Sequence, residues 1–160
     1  MRPIANLHRP GFVVVGIQLR TSNREEMNPG TARIPGLWAR WANQAADLPP
    51  RTDATLYAVY SDYESDHLGP YSLTIGHAVA PETAAPPEMS RVVVPAGRYA
   101  VLTSRRGAMP GVVREAWQRA WAASDVELGG RRAFTVDYEV YDERSRDPAD
   151  AEVDLNLAIF

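Results

Sequence analysis

The stretch Ala133 to Tyr141 reads AFTVDYEVY and holds the residues best placed to do chemistry. Period-two alternation predicts a strand with Phe134, Val136, Tyr138 and Val140 on one face and Thr135, Asp137, Glu139 and Tyr141 on the other. The first set reads as a core face under a helix, and the second puts two carboxylates and a phenol together on the opposite face. A carboxylate ringed by aromatic side chains suits an organic cation, because ring faces attract the cation and the acid neutralises it. A solvated Glu on an exposed strand face is the competing reading of Glu139. In Thr55 to Tyr63 (TLYAVYSDY) the alternation places Tyr60, Asp62 and Glu64 on one face, with Tyr57, Val59, Ser61 and Tyr63 on the other. Tyr71 and Tyr99 open strands and fit either core or groove. Trp38, Trp41, Trp117 and Trp121 fall on helical segments, where core packing is their ordinary role. Trp38 and Trp41 are three apart, so one of them is expected to tilt toward a groove rim.

Other chemistries find little support. All seventeen basic residues are Arg and there is no Lys, which removes Schiff-base chemistry and a phosphate-loop Lys. The absence of Cys removes disulfides, thiolate metal sites and a thiol nucleophile. His8, His67 and His77 are scattered without metal-ligand spacing, and no metal or cofactor is expected. No GxSxG, GxGxxG or GxxxxGK motif occurs. With a net charge of −3, the basic pairs Arg105-Arg106 and Arg131-Arg132 read as solvated ends, not a nucleic-acid surface. No apolar run is long enough for a membrane span, and the N-terminus lacks a signal core, so a cytoplasmic address is expected.

The elements that must position these residues follow from pattern. Phe12 to Leu19 predicts a strand, Ile34 to Ala46 a helix stopped by Asp47-Leu48-Pro49-Pro50, and Thr55 to Tyr63 with Pro70 to Ala80 a hairpin. Thr21-Ser22-Asn23 supplies a turn. After the Pro-rich break at residues 81–87 come strands Ser90 to Val94 and Arg98 to Ser104, with Pro95-Ala96-Gly97 as a turn between them. Met109 to Ala123 predicts a helix, with Val113, Trp117 and Trp121 in one row and Val112, Ala116 and Ala120 beside it. In the closing strand, Val153 to Phe160, one buried and one wetter face are expected. Strand–helix–strand–strand thus occurs twice. Ile34-Pro35-Gly36-Leu37 lies over Met109-Pro110-Gly111-Val112 at an offset of about 75 residues, and the same offset carries Asp62-Tyr63-Glu64 onto Asp137-Tyr138-Glu139. The expected fold is α+β, one domain over residues 1–160 with halves at about 10–80 and 88–160. It is a pseudo-twofold antiparallel sheet with two helices on one face and a groove for a ligand along the dyad.

Several stretches in series resemble the GyrI-like superfamily, the effector-binding domain of AraC- and MerR-type multidrug regulators. They are Val15-Gly16-Ile17 with Arg20-Thr21-Ser22-Asn23, Ile34 to Trp38, Tyr57 to Asp66, Tyr71 to Gly76, Val94 to Val101, Tyr138-Glu139-Val140-Tyr141 and the acidic-apolar final strand. The resemblance implies a central groove for lipophilic, often cationic, aromatic compounds. It makes Glu139 the central acid and Tyr60, Tyr63, Tyr71, Tyr99, Tyr141 and Trp38 the walls. With about ten residues before the first predicted strand and no helix-turn-helix, a free-standing module without operator binding of its own is expected.

Relatives that hydrolyse cyclopropane-bearing genotoxins, and a gyrase-inhibiting member, keep two alternatives open. In the first, Glu139 is a general base with Tyr141 beside it and Tyr60 orienting the leaving group. In the second, a protein partner such as gyrase or a separately encoded DNA-binding subunit meets the acidic stretch Asp142 to Asp154, which otherwise reads as a solvated loop.

Overall fold

The computed structural model describes residues 3–44 and 48–160. The predicted helix residues 45 and 46 and its stop at Asp47 lie outside the described residues. In chain order the elements are β1 (Ala5–Arg9), β2 (Phe12–Thr21), α1 (Asn23–Met27), α2 (Ile34–Ala42), β3 (Arg51–Ser61) and β4 (Tyr71–Val79). The second half holds β5 (Ser90–Val94), β6 (Gly97–Thr103), α3 (Gly111–Ala122), α4 (Asp125–Leu128), β7 (Asp137–Tyr141) and β8 (Asp154–Ala158).

The eight strands form one antiparallel sheet in the order β1-β6-β8-β7-β3-β4-β2-β5. That order is a palindrome about the β7–β3 pair: each strand of one half mirrors the strand four places away in the chain. The dyad of the duplication therefore passes between β3 and β7. Here Ala58 pairs with Glu139, Tyr57 with Val140 and Val59 with Tyr138. A twofold through the Ala58–Glu139 pair lays Tyr57-Ala58-Val59-Tyr60 over Tyr138-Glu139-Val140-Tyr141. This corrects the expected match of Asp62-Tyr63-Glu64 to Asp137-Tyr138-Glu139. The offset differs between elements because the connection from α3 to β7, which holds the extra helix α4, is longer than the one from α2 to β3. Helix α1 itself starts where a turn was expected, with the Ser22 side chain accepting from the Glu25 amide as an N-cap.

Strand β1 was not anticipated. Its side chains are mostly exposed on a sheet edge, so Ala-Asn-Leu-His-Arg carries no alternation to read. The Pro95-Ala96 link is likewise not a hairpin turn. It sends β5 to pair with β2 and β6 to pair with β1 and β8, at opposite ends of the strand order. The Pro10-Gly11 link between β1 and β2 is its dyad counterpart, so each half lends an edge strand to the other.

Both sheet faces are covered. On one, α2 seats Leu37 against Ile17, Ala58, Leu73 and Ile75, while α3 seats Ala116 and Ala120 against Leu102, Leu155 and Leu157. On the other, Val14, Val59, Val94, Tyr99 and Tyr138 form a core of their own. Strand β8 is consequently buried on both sides, Asn156 included, instead of wetter on one. The face assignment along β7 is also reversed: Tyr138 belongs to the face without helices, and Glu139 points to the face that carries α2 and α3. The strand begins only at Asp137, since Phe134 sits at φ 52 and ends the extended run before it. The acidic stretch after β7 folds partly on itself. Arg144 bonds Asp142, Glu152 and Asp154, while Asp150 lies 3.6 Å from Arg106.

Candidate functional site

Glu139 occupies the dyad position of the sheet, and its counterpart across the twofold is the small Ala58. A second carboxylate here would stand next to the first, and two like charges cannot both ionise cheaply at such range. The duplicated frame thus carries one acid at its centre, 3 % exposed.

Three donors converge on it. The Tyr60 hydroxyl donates to Oε2 at 2.7 Å, the Trp117 indole Nε1 to the same oxygen at 2.6 Å, and the Tyr141 hydroxyl to Oε1 at 2.5 Å. Tyr141 reaches it from two residues along the same strand face, as alternation requires. Tyr60 comes from β3, two residues beyond Ala58 on the same face. Trp117 comes from α3. That helix buries Val112, Ala116 and Ala120, a stripe whose small side chains let it sit close to the sheet. Trp117, in the neighbouring row, packs against that core and also reaches the dyad acid, while Trp121 is exposed beside the His67 ring.

Rings enclose the acid. Trp38 of α2 meets Tyr141 edge to face at 5.1 Å, and Tyr60 meets Trp117 at 5.0 Å and Tyr71 at 5.3 Å between centroids. Of the anticipated site residues, Glu139, Tyr141 and Tyr60 are directly bonded and Trp38 and Tyr71 stand one ring further out. Tyr71 donates to Asn23. Tyr63 was expected on the face opposite Tyr60. Asp62 at φ 50 ends β3 and turns Tyr63 back, where it donates to Asp137 at 2.6 Å. Tyr99 is not brought to Glu139. It packs on Tyr138 across the sheet, donates to the Pro95 carbonyl, and burial pushes its phenol up to about 12. Trp117 is the member of the cage that sequence reasoning missed. The signal available was the Ala116/Ala120 stripe, which marks the sheet-facing side of α3 and puts Trp117 on its flank.

Burial raises the Glu139 carboxyl above its ordinary value, and the bonds from Tyr141, Trp117 and Tyr60 offset this only in part. No positive charge contributes to that balance, and no ion pair reaches Glu139 among the described residues. Burial, then the nearby Glu139, raise Tyr60 and Tyr141 well above the usual phenol range, so both remain protonated donors. The chemistry on offer is a buried, aromatic-lined carboxylate whose hydrogen-bond donors are all neutral. Among the described residues no group of His, Asp and Glu is arranged to hold a metal ion. No helix is long and apolar enough to cross a membrane.

Comparisons with known proteins agree with this architecture. The family described as Cass2, integron-associated effector binding protein, matches residues 7–159. The Bacillus subtilis (strain 168) protein YobU, a candidate transcriptional regulator, is 34 % identical over 147 residues, covering 90 % of this chain and 89 % of that one. Among solved structures, the Vibrio cholerae integron cassette protein VCH_CASS2 superposes with a TM-score of 0.78 at 29 % identity, covering 99 % of this chain and 97 % of the other. SAV2435 bound to tetraphenylphosphonium has the same fold at 15 % identity, with a TM-score of 0.70 over 99 % of this chain and 94 % of that one. The fold is the GyrI-like one that the motifs resemble.

Proposed function

This chain belongs to the Cass2 family of integron-associated effector-binding proteins, and on that footing we propose that its effector is a lipophilic, aromatic cation held at Glu139. The observation that carries the reading is a carboxylate 3 % exposed and bonded only by neutral donors. A buried anion without a counter-ion is costly, and an organic cation supplies the missing charge without adding polar groups that would need partners. Trp38, Tyr60, Tyr141 and Trp117 offer ring faces or edges for its apolar bulk, and cation–π attraction adds to the charge pairing. Support from fold comes from SAV2435, solved with tetraphenylphosphonium bound.

Binding fits the geometry better than turnover does. A general base needs a lone pair aimed at a water, whereas three protein donors already converge on the two oxygens of Glu139.

The test is titration with tetraphenylphosphonium, followed by quenching of the Trp fluorescence. Saturable binding is expected above the Glu139 pKa, with affinity falling about tenfold per pH unit below it, since the proton and the cation compete for one carboxylate. Glu139→Gln should weaken binding by at least about thirtyfold, the scale for one partner of a desolvated charge pair, and abolish the pH dependence. Equal affinity in the Gln variant, or no binding by the unaltered protein, overturns the proposal.

A further inference from the structure

The pseudo-twofold shares out the donors to Glu139 unevenly. Tyr60 and Tyr141 are equivalent under it, and each gives its hydroxyl to a different oxygen of the acid, Tyr60 to Oε2 and Tyr141 to Oε1. The two helices break the symmetry. From α3, the Trp117 indole adds a second bond to Oε2. The alignment that sets Leu37 over Val112, both buried, sets Ala42 over Trp117, and an alanine side chain has nothing to donate. Trp38 of α2 meets Tyr141 much as Trp117 meets Tyr60, at 5.1 and 5.0 Å between centroids. Yet among the described residues the only donors to the acid are Tyr60, Trp117 and Tyr141.

A carboxylate offers about four acceptor positions, a pair on each oxygen. At Glu139 the pair on Oε2 is filled by Tyr60 and Trp117, while Tyr141 fills one of the pair on Oε1. One position on Oε1 is left over. The groups around it are poor acceptors. Indole rings only donate, and the Tyr60 and Tyr141 oxygens belong to neutral phenols that burial and the neighbouring acid keep protonated. A cationic group at this acid therefore finds one strong partner for an N–H, and no second.

Resting on the reading that Glu139 receives the effector's charge, we propose that the preferred effector is a protonated lipophilic tertiary amine, whose single N–H donates to Oε1 of Glu139. Such a cation neutralises the acid and completes its hydrogen bonding in one contact, and a charge-assisted bond of this kind is roughly twice as strong as a neutral one. A quaternary ammonium or phosphonium supplies the charge but leaves a buried acceptor position unpaired. A primary ammonium or a guanidinium fills that position but brings further N–H groups in among rings that cannot pair them, and a buried donor without a partner is costly. The count of open positions on the acid thus selects among cations that carry the same charge.

The experiment titrates the full chain by calorimetry, near neutral pH, with three protonated or quaternary cations that differ only at nitrogen. They are diphenhydramine, a tertiary amine, its N-methyl quaternary salt, and its N-desmethyl secondary amine. An added methyl buries more apolar surface, so burial and charge alone rank the quaternary salt level with the tertiary amine or above it. The open position on Oε1 reverses that order: diphenhydramine should bind about tenfold tighter than its quaternary salt, the scale of one hydrogen bond to a charged group. Tyr141→Phe frees a second position on Oε1, so the secondary amine, with one more N–H, should gain about tenfold on the tertiary amine in that variant. If Tyr141→Phe does not fold, the tertiary-to-quaternary ratio in the unaltered protein decides alone. A quaternary salt that binds as well as diphenhydramine or better overturns the proposal, as does an unchanged secondary-to-tertiary ratio in folded Tyr141→Phe. Tetraphenylphosphonium, titrated alongside, tells the two failures apart. If it binds in a Glu139-dependent way while tertiary and quaternary affinities are equal, the N–H assignment falls and the cation site stands; if no cation binds, both fall.

Discussion

Asp137 and Glu139 lie two residues apart on one face of β7, both nearly inaccessible at 0 % and 3 % exposure, yet they are satisfied in opposite ways. Asp137 has its own cation. Arg132 pairs with it at 2.5 Å, Tyr63 donates at 2.6 Å, and the Ala158 amide donates to its other oxygen at 2.9 Å. Arg132 in turn stacks over Phe134 at 4.3 Å. Glu139 has three neutral donors and no cation. A buried acid whose charge is balanced within the chain holds structure together, and in the function proposed above the one whose charge is left open receives the ligand's. Sharing a strand face, burial and side-chain chemistry, the two differ only in what surrounds them, so the pair is an internal control.

The sharpest break in that comparison should come from Asp137→Ala. It leaves Arg132 buried without its partner, and the expected loss is about 3–5 kcal/mol of folding stability, read from urea denaturation. Glu139→Gln in the same measurement should cost little or add stability near neutral pH. If the two substitutions destabilise equally, the division between structural and open acid fails.

A medium effect is expected from pH. Burial raises the folded-state pKa of Glu139 above its unfolded value. Its contribution to stability is therefore fully present below the ordinary carboxylate pKa and is lost as pH rises through the raised folded value. The stability gained by Glu139→Gln relative to the unaltered protein should grow over that window, with a limiting slope of about 1.4 kcal/mol per pH unit, and vanish in acid. Thermal melts of both proteins from pH 4 to pH 9 check this, and parallel curves would count against an uncompensated acid at the dyad.

The smallest effect sharpens the comparison from the donor side. Trp117→Phe keeps a ring beside Tyr60 but removes one of the bonds to Oε2, which favours the ionised acid. About 1 kcal/mol is expected, seen as an upward shift in the pH midpoint of tetraphenylphosphonium binding. Tyr63→Phe, made at the Asp137 end, should lower stability by a similar amount and leave that midpoint where it was. A midpoint that moves in Tyr63→Phe but not in Trp117→Phe would reverse the assignment of roles.

Much was legible in the sequence because it depends on local period and on repetition. The doubled strand–helix–strand–strand pattern and the co-facial placement of Glu139 with Tyr141 are properties of contiguous residues, and both hold in the fold. Alternation fixes which side chains share a face of a strand, but not which face of the sheet the helices cover. The reversed assignment of Glu139 and the separation of Tyr99 from it follow from that gap. Nor does it survive a residue in the left-handed region: Asp62 at φ 50 moved Tyr63 to the other side, and Phe134 at φ 52 cut β7 short. Most donors to the two acids are remote in the chain, Tyr60 and Trp117 on one and Tyr63 and the Ala158 amide on the other, while the cation that distinguishes Asp137 comes from only five residues before it. Sequence placed two carboxylates and a phenol on one strand face. Only tertiary packing, which brought Arg132 to one acid and nothing but neutral donors to the other, decided which of them was left open.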